Sequence, residues 1–316
     1  MKSHIAFFLE FVAIVPFHGI QASIPKLPVA FWPFDDANLG NDVSGNGHHG
    51  VLYNISLAPG PYGDDRALGF SAADGSYIMI PNNGGLDVRN RFTLVFLMFP
   101  ESNALQTLFE YRVIHRYGLH VMQHPTGTSF WTNVVENPSL REHPIELKNA
   151  FTLNTWHKAF VRYDYDSGNL DIGVSTLARP LTVGNTANIG SISASTSGTL
   201  DLGRRMIYPN RYQGRLACVQ LFGTPLSLRE VEDALARCKP EYKQDRMLHK
   251  WPTTSLIPSP AVVHHVASLI HCSAKCLRAT CRNLAYRREN GTCLLGHGFG
   301  LKEVEDSGFV VFGDVP

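Results

Sequence analysis

Short apolar runs, broken by Gly, Asn, Asp and Pro, fill the chain from residue 29 to residue 224. Turn signals such as Asn46-Gly47 and Asp166-Ser167-Gly168 separate neighbouring runs at hairpin spacing. No long segment before Ser227 has a helical period. The pattern predicts a mainly β protein whose chief unit is an antiparallel β-sandwich of the jelly-roll type. Predicted strands include 29–34, 76–80, 92–99, 105–113, 118–124, 156–163 and 170–174.

Two of these strands have patterns that also predict their surroundings. Strand 156–163 alternates, so its Ala159, Val161 and Tyr163 are expected to face the core. The intervening Lys158 and Arg162 are expected to face water. Residues 92–99 are apolar on both faces, which predicts a central strand that is covered on each side.

A short helix is predicted directly after the last strand of the sandwich. Ser227 and Glu230 have the spacing of a capping box, and apolar residues follow at 231–235. The helix leads to Cys238, and Cys218 lies on the strand before it. A disulfide between these two cysteines would staple the helix to the sheet.

The N-terminus has the composition of a secretory signal. Lys2 precedes an apolar stretch at 5–17, and small and polar residues follow at 21–23. The stretch is shorter than the ~20 apolar residues that a membrane-spanning helix needs. Residues 1–22 are therefore predicted to be a signal peptide, and the mature protein is expected to be secreted and extracellular, without a membrane span. A formal net charge of +1 gives no global attraction to nucleic acid.

Six cysteines, all in the last third of the chain, fit an oxidising compartment and predict three disulfides. Zinc binding by the last four is the alternative, but their 3, 4 and 11 intervening residues do not match a usual zinc spacing. Asn54 and Asn290 begin N-glycosylation sequons. The six cysteines are Cys218, Cys238, Cys272, Cys276, Cys281 and Cys293.

The residues after the sandwich predict a second, much smaller domain. Residues 241–255 are interpreted as a linker, with a first strand of the next domain at 247–257. A helix over 268–279, a hairpin with strands 284–286 and 292–295, and a last strand at 309–312 complete a small α+β unit over 256–316. A unit this small buries too little apolar surface to fold without disulfides.

A series of short sequence segments occurs in a fixed order in the predicted sandwich domain at 24–240. It comprises Val29-Ala30-Phe31-Trp32-Pro33-Phe34-Asp35, Asp42-Val43-Ser44-Gly45-Asn46-Gly47, Arg66-Ala67-Leu68-Gly69-Phe70, Tyr77-Ile78-Met79-Ile80-Pro81, Phe92-Thr93-Leu94, Thr155-Trp156-His157-Lys158 and residues 214–227. In this order the segments resemble those of the laminin-G-like branch of the concanavalin A-like lectin/glucanase superfamily. The resemblance implies two packed antiparallel sheets.

The small domain resembles the PAN/apple family. The resemblance rests on the segments Cys272-Ser273-Ala274-Lys275-Cys276, Cys281-Arg282-Asn283-Leu284-Ala285-Tyr286 and Gly291-Thr292-Cys293-Leu294-Leu295. It implies a Cys272–Cys293 bridge from helix to sheet and a Cys276–Cys281 bridge at the helix end. The bridge that joins the chain termini in other members has no cysteines here.

Two metal hypotheses follow from the sandwich sequence. Relatives often hold a structural calcium ion near the Asp-x-Ser-Gly-Asn-Gly loop, which makes Asp35, Asp42 and Asn46 the calcium candidates. Many relatives also place a ligating Asp at the position held here by Ala217. Asp and Asn in turns need no ion, which is the alternative.

The histidines give a weaker metal signal. His120 and His124 are predicted to share one strand face with Met122, and two ligands without a third do not make a site. They are interpreted as surface or half-buried histidines.

Basic residues cluster in the predicted small domain within fourteen positions: Lys275, Arg278, Arg282, Arg287 and Arg288. Such a cluster suits sulfated glycans, and the alternative is that these charges only solvate the domain.

No catalytic motif is found. Glucanase members of the superfamily need carboxylates spaced Glu-x-Asp-x-Glu, and the chain has no such run. Both domains resemble modules that bind carbohydrate or protein rather than transform them. The resemblance implies a secreted, non-catalytic recognition or adhesion protein that binds extracellular glycans or proteins. The alternative is a structural component of an extracellular organic matrix, including that of a mineralised shell or skeleton.

Overall fold

A computed structural model describes residues 26–63, 66–113, 116–124, 128–205 and 210–239, and six further strands between 256 and 313. The predicted signal peptide at 1–22 lies outside the described residues. Within the described ranges, no helix has the length and apolar character needed to cross a bilayer.

In the part of the chain that is described between residues 30 and 236, fifteen strands and one helix follow one another. In chain order they are β1 (Ala30–Trp32), β2 (Val51–Tyr53), β3 (Ser56–Pro59), β4 (Arg66–Phe70), β5 (Tyr77–Ile80), β6 (Arg91–Pro100), β7 (Gln106–Val113), β8 (Arg116–His124), β9 (Ser129–Val135), β10 (Glu142–Leu147), β11 (His157–Asp164), β12 (Asn169–Thr176), β13 (Asn185–Asn188), β14 (Thr199–Leu202), β15 (Gly214–Phe222) and α1 (Leu228–Ala236).

These strands form two antiparallel sheets. One has the order β13-β12-β11-β6-β15-β4-β3, and β1 pairs with the second half of β15. The other has the order β10-β9-β8-β7-β14-β5-β2. The inner faces of both sheets contribute to one apolar core, which includes Trp32, Phe130 and Tyr163. The predicted antiparallel β-sandwich is confirmed.

Strand β6 lies in the middle of the eight-stranded sheet and is covered on both faces. Phe92, Leu94 and Phe96 belong to the core between the sheets. Val95 and Leu97 belong to a second apolar cluster on the outer face, which they share with residues of α1. The predicted two-sided burial of residues 92–99 is confirmed.

Helix α1 begins as its sequence predicts. The Glu230 N–H donates to Ser227 Oγ over 3.3 Å, and the Ser227 N–H donates to Glu230 Oε2 over 2.7 Å. Val231, Ala234 and Leu235 are buried against the eight-stranded sheet. Burying the Val and Leu side chains contributes roughly 1.5–3 kcal/mol each, and the cap adds about 1 kcal/mol.

The prediction for strand β11 is right on one face and wrong on the other. Ala159, Val161 and Tyr163 lie in the core as expected. Lys158, however, is only 7% exposed, and its Nζ lies 2.7 Å from Glu232 Oε1 of α1. The helix covers this face of the sheet, so Lys158 forms an ion pair with a carboxylate instead of facing water.

A β-bulge interrupts strand β15 between Ala217 and Gln220. Cys218 has a φ of 55°, and both Ala217 and Cys218 belong to the cluster on the helix side of the sheet. The bulge thus turns Cys218 toward the end of α1, where it forms a disulfide with Cys238. The bridge closes a loop with a sequence separation of 20 residues, which contributes on the order of 3 kcal/mol in the chain-entropy account.

Six strands are described beyond the sandwich: β16 (Leu256–Pro258), β17 (Ala261–His265), β18 (Asn283–Arg287), β19 (Thr292–Gly296), β20 (Leu301–Glu303) and β21 (Phe309–Gly313). They form a β16-β20 pair and a β17-β19-β18-β21 sheet. The predicted hairpin corresponds to the β18-β19 pair, and the predicted last strand corresponds to β21. The predicted helix at 268–279 lies outside the described residues, so the PAN/apple-like fold stays a prediction.

Candidate functional site

A row of polar side chains crosses the outer face of the seven-stranded sheet. Asp201 on β14 is the register partner of Glu110 on β7, Glu110 is the partner of His120 on β8, and His120 is the partner of Asn133 on β9. We call these four residues the polar row. Their chain neighbours, such as Val121, lie in the core, so the polar row points away from it.

Every member of the polar row is at most 1% exposed. The outer face of a sandwich sheet normally carries polar side chains that reach water. Burying polar groups costs free energy unless partners replace the lost water. Two of the buried atoms, Asp201 Oδ1 and His120 Nε2, have no hydrogen-bond partner within the part of the chain that the structure describes.

Arginines lie against both carboxylates of the polar row. Arg204 Nε is 3.1 Å from Asp201 Oδ2, and Arg112 Nε is 3.7 Å from the same oxygen. Arg205 Nε is 3.3 Å from Glu110 Oε2. Arg204 and Arg205 follow β14 after one glycine, so the segment that leaves this strand brings positive charge over the row.

His120 is neutral at physiological pH. Burial lowers its pKa to about 4, although a hydrogen bond with the Gly118 carbonyl, at 2.9 Å, acts in the opposite direction. If Nδ1 donates to that carbonyl, Nε2 is left as an acceptor. The ring centroid lies 4.8 Å from Tyr117 and 5.0 Å from Trp131. The sequence interpretation of His120 as a surface or half-buried residue is therefore wrong, because these rings cover it; His124 is half-buried as expected.

Aromatic side chains flank the polar row at both ends. At one end are Tyr117 and Trp131; at the other, Tyr53 and Tyr77 stack with ring centroids 4.2 Å apart. Arg204 Cζ lies 3.4 Å from the Tyr77 ring centroid. Four strand steps separate Tyr77 on β5 from Trp131 on β9, which corresponds to ~19 Å along the sheet.

Glu142 adds an exposed anion at the Trp131 end. It accepts hydrogen bonds from the Tyr117 hydroxyl at 2.5 Å and from Asn133 Nδ2 at 2.9 Å. The bond from Tyr117 is the main cause that lowers the pKa of Glu142. The face therefore combines carboxylates, guanidinium groups, a neutral imidazole and aromatic rings.

The calcium candidate Asp42 is instead a hydrogen-bond acceptor that organises its loop. Its Oδ1 accepts from the N–H groups of Phe31 and Ser44, at 2.9 and 2.8 Å. Its Oδ2 accepts from Ser44 Oγ and the His48 N–H, both at 2.9 Å. These four bonds occupy the lone pairs that a carboxylate offers, so Asp42 does not fit a calcium ion.

The other two calcium candidates also hold loop backbone. Asp35 Oδ1 accepts from the N–H and the Nδ2 of Asn38, at 2.9 and 2.7 Å, and Asn46 Nδ2 donates to the Val29 carbonyl at 2.7 Å. Among the described residues, no group of three or more His, Cys, Asp or Glu side chains is arranged to hold a metal. Calcium binding stays a prediction that this geometry does not support.

The remaining predicted site residues are scattered. Asn54 is exposed, and its Nδ2 donates to the Asp74 carbonyl at 2.7 Å. Arg287 and Cys293 lie on β18 and β19. Those outside the described residues are Cys272, Lys275, Cys276, Arg278, Cys281, Arg282, Arg288 and Asn290. Their predicted bridges, glycan and basic cluster therefore stay predictions.

The polar row itself escaped the sequence analysis. Glu110 and Asp201 are single charged residues among apolar strand residues. Solvent-exposed positions of a strand have the same pattern, so the sequence does not distinguish the two. Their proximity depends on pairing between strands 91 positions apart in sequence (201 − 110), which no local pattern reveals.

No protein-family model and no curated protein matches the chain. Solved structures do match it. They include the receptor-binding domain of a mosaic serotype C/D botulinum neurotoxin, with a TM-score of 0.51 and 11% identity over 77% of this chain and 58% of that one. The binding domain of botulinum neurotoxin DC in complex with SialylT has a TM-score of 0.50 and 13% identity, over 90% and 64% of the two chains.

The serotype G binding domain is similar to the same degree, with a TM-score of 0.50 and 12% identity over 75% of this chain and 56% of that one. The chain thus spans less than two thirds of these structures' own length. At such identities the likeness is one of fold, and it agrees with the antiparallel β-sandwich.

Proposed function

We propose that this chain is a secreted, non-catalytic recognition protein that binds glycans through the outer face of its seven-stranded sheet. The observation that carries the proposal is the set of side chains around the buried polar row, namely aromatic rings at both ends and the exposed Glu142. Secretion rests on the predicted signal peptide and on the disulfide between Cys218 and Cys238, a bond typical of extracellular proteins.

The chemistry of this face suits a sugar. Hydroxyl groups both donate and accept hydrogen bonds, and the face offers an acceptor at the exposed Glu142 and donors at its partly exposed arginines. Trp131 and Tyr117 present rigid rings with apolar faces and polar edges, which serve as contact surfaces at low entropic cost.

Two further points support a binding role. The similar structures are binding domains, and one of them is in complex with SialylT. Fold alone does not determine function, so this likeness is secondary to the chemistry of the face. Glycoside hydrolysis needs a carboxyl group that can give up a proton, whereas Glu110 and Asp201 are both engaged by guanidinium groups.

A glycan array probed with the mature chain, followed by calorimetry on each hit, tests the proposal. Trp131→Ala should weaken binding about tenfold or more, the size typical of losing an aromatic anchor. The matched control is Trp156→Ala, because Trp156 is a half-buried tryptophan that packs against Phe99 of the other sheet. An array that stays blank, sialylated and sulfated glycans included, would overturn the proposal. Co-purification with insoluble matrix would then favour the structural alternative.

A further inference from the structure

A cavity of about 360 Å³ lies on the other side of the sandwich, beside the disulfide. It opens between β1, the loop that follows β1, the start of β4, and the end of α1. Its volume falls in the range of small-molecule sites, which begins at roughly 300 Å³. It shares no residue with the polar row or its flanking aromatic side chains.

The bulge in β15 helps to create this cavity. Ala217, at the edge of the bulge, lines the cavity, and a methyl group is all that this position contributes to the cavity wall. The N–H of the bulged Cys218 donates to the Pro33 carbonyl at 3.0 Å, which fixes the loop that forms the opposite wall. Cys238 also lines the cavity, so the disulfide holds one side of it in place.

The cavity has an apolar lining and an excess of positive charge. Phe31, Pro33 and Val43 are among the apolar residues that line it. The charged side chains that line it are Asp35, Arg66 and Arg237, which sum to one positive charge.

The three charged side chains differ in how they are held. The Asp35 carboxylate already accepts two hydrogen bonds from Asn38. Arg237 donates to the Lys26 carbonyl at 2.9 Å. The Arg66 side chain is exposed and forms no hydrogen bond or ion pair with the described part of the chain. A guanidinium group at such a site favours a planar anion that can accept two parallel hydrogen bonds.

We propose that this cavity binds a small organic carboxylate whose body is apolar. Its carboxylate group lies against Arg66 and Arg237, and its body packs on Phe31 and Val43. The same charges disfavour a cation here. This site lies apart from the polar row, so either one can fail without the other.

Calorimetry with 4-phenylbutyrate and its uncharged amide, using the mature full-length chain, tests this proposal. The acid should bind, and the amide should bind about tenfold more weakly, the size expected for losing a charge-assisted contact. Arg66→Ala should weaken binding of the acid to a similar extent, while the exposed Arg179→Ala should leave it unchanged.

A second variant tests the place of binding. Ala37 is exposed and lines the cavity, so Ala37→Trp should block the acid without altering a buried residue. Trp131→Ala should bind the acid as the parent does, because Trp131 belongs to the other face. Equal binding of acid and amide, normal binding by Arg66→Ala, or binding of inorganic phosphate as tight as that of the acid would each overturn the proposal.

Discussion

Glu110 and Asp201 lie directly opposite each other on neighbouring strands, and each carboxylate has its own arginine partner. Like charges in this cross-strand position destabilise a sheet when nothing offsets them. Arg204 and Arg205, adjacent in sequence, supply the two opposite charges at 3.1 and 3.3 Å. The polar row thus depends on one short segment after β14.

Removal of Arg205 should destabilise the sandwich. The variant Arg205→Ala leaves the Glu110 carboxylate buried without that partner, and breaking a buried ion pair from one side costs about 3 kcal/mol or more. Urea denaturation measures the free energy of unfolding. The double variant Glu110→Gln/Arg205→Ala should recover part of the loss, because the buried negative charge is then absent. Arg179→Ala, at an exposed arginine, is the control, and a loss in Arg205→Ala no larger than the control's would contradict the prediction.

The buried His120 should make the protein less stable in acid. Burial lowers the pKa of His120 from 6.5 to about 4. Between these two pH values the unfolded chain binds a proton at this residue that the folded chain does not. The free energy of unfolding therefore falls as pH decreases from 6.5 to 4, and the contribution of His120 is on the order of 3 kcal/mol.

Urea titrations at pH 7 and pH 4.5 check this pH dependence. His120→Asn should show a smaller loss of stability between the two pH values than the parent chain. Burial also lowers the pKa of His48 and of His157, so part of the acid sensitivity should remain in the variant. His124→Asn, on the same strand, is the control; equal acid sensitivity in both variants would exclude His120 as a source.

Asp42 should matter for stability through hydrogen bonds rather than through calcium. Asp42→Ala removes the acceptor of four hydrogen bonds in a residue that is 6% exposed, which predicts a loss of about 2–4 kcal/mol. The exposed Asp36→Ala is the control and should lie within about 0.5 kcal/mol of the parent. Thermal unfolding in EDTA and in calcium should give the same midpoint. A midpoint raised by calcium would show that an ion does bind this chain.

Local sequence patterns correctly predicted the elements whose signals lie within a single helix or strand. The capping residues Ser227 and Glu230 identified α1, and the apolar run at 92–99 identified the central strand, because both signals lie within one element. The sequence analysis did not predict β10, because its Pro144 and neighbouring charged residues are not typical of a strand. Such residues are tolerated there because β10 is at the edge of its sheet.

Contacts between distant segments account for the errors. Lys158 was expected to face water because the local sequence does not indicate its partner. That partner, Glu232, comes 74 residues later in the chain. The polar row was missed for the same reason, since it joins residues of four separate strands. The docking of α1 determines the environment of Lys158, and the pairing of strands determines that of the polar row. The local sequence specifies neither environment.

Helix α1 covers one of the two outer faces of the sandwich. The helix shields the outer surface of strands β6 and β15, so a large partner cannot lie flat there. The helix ends at Ala236, on the side of the sandwich away from the polar row. Since α1 packs on the eight-stranded sheet, no helix of the described residues lies over the outer face of the seven-stranded sheet, where the polar row is found.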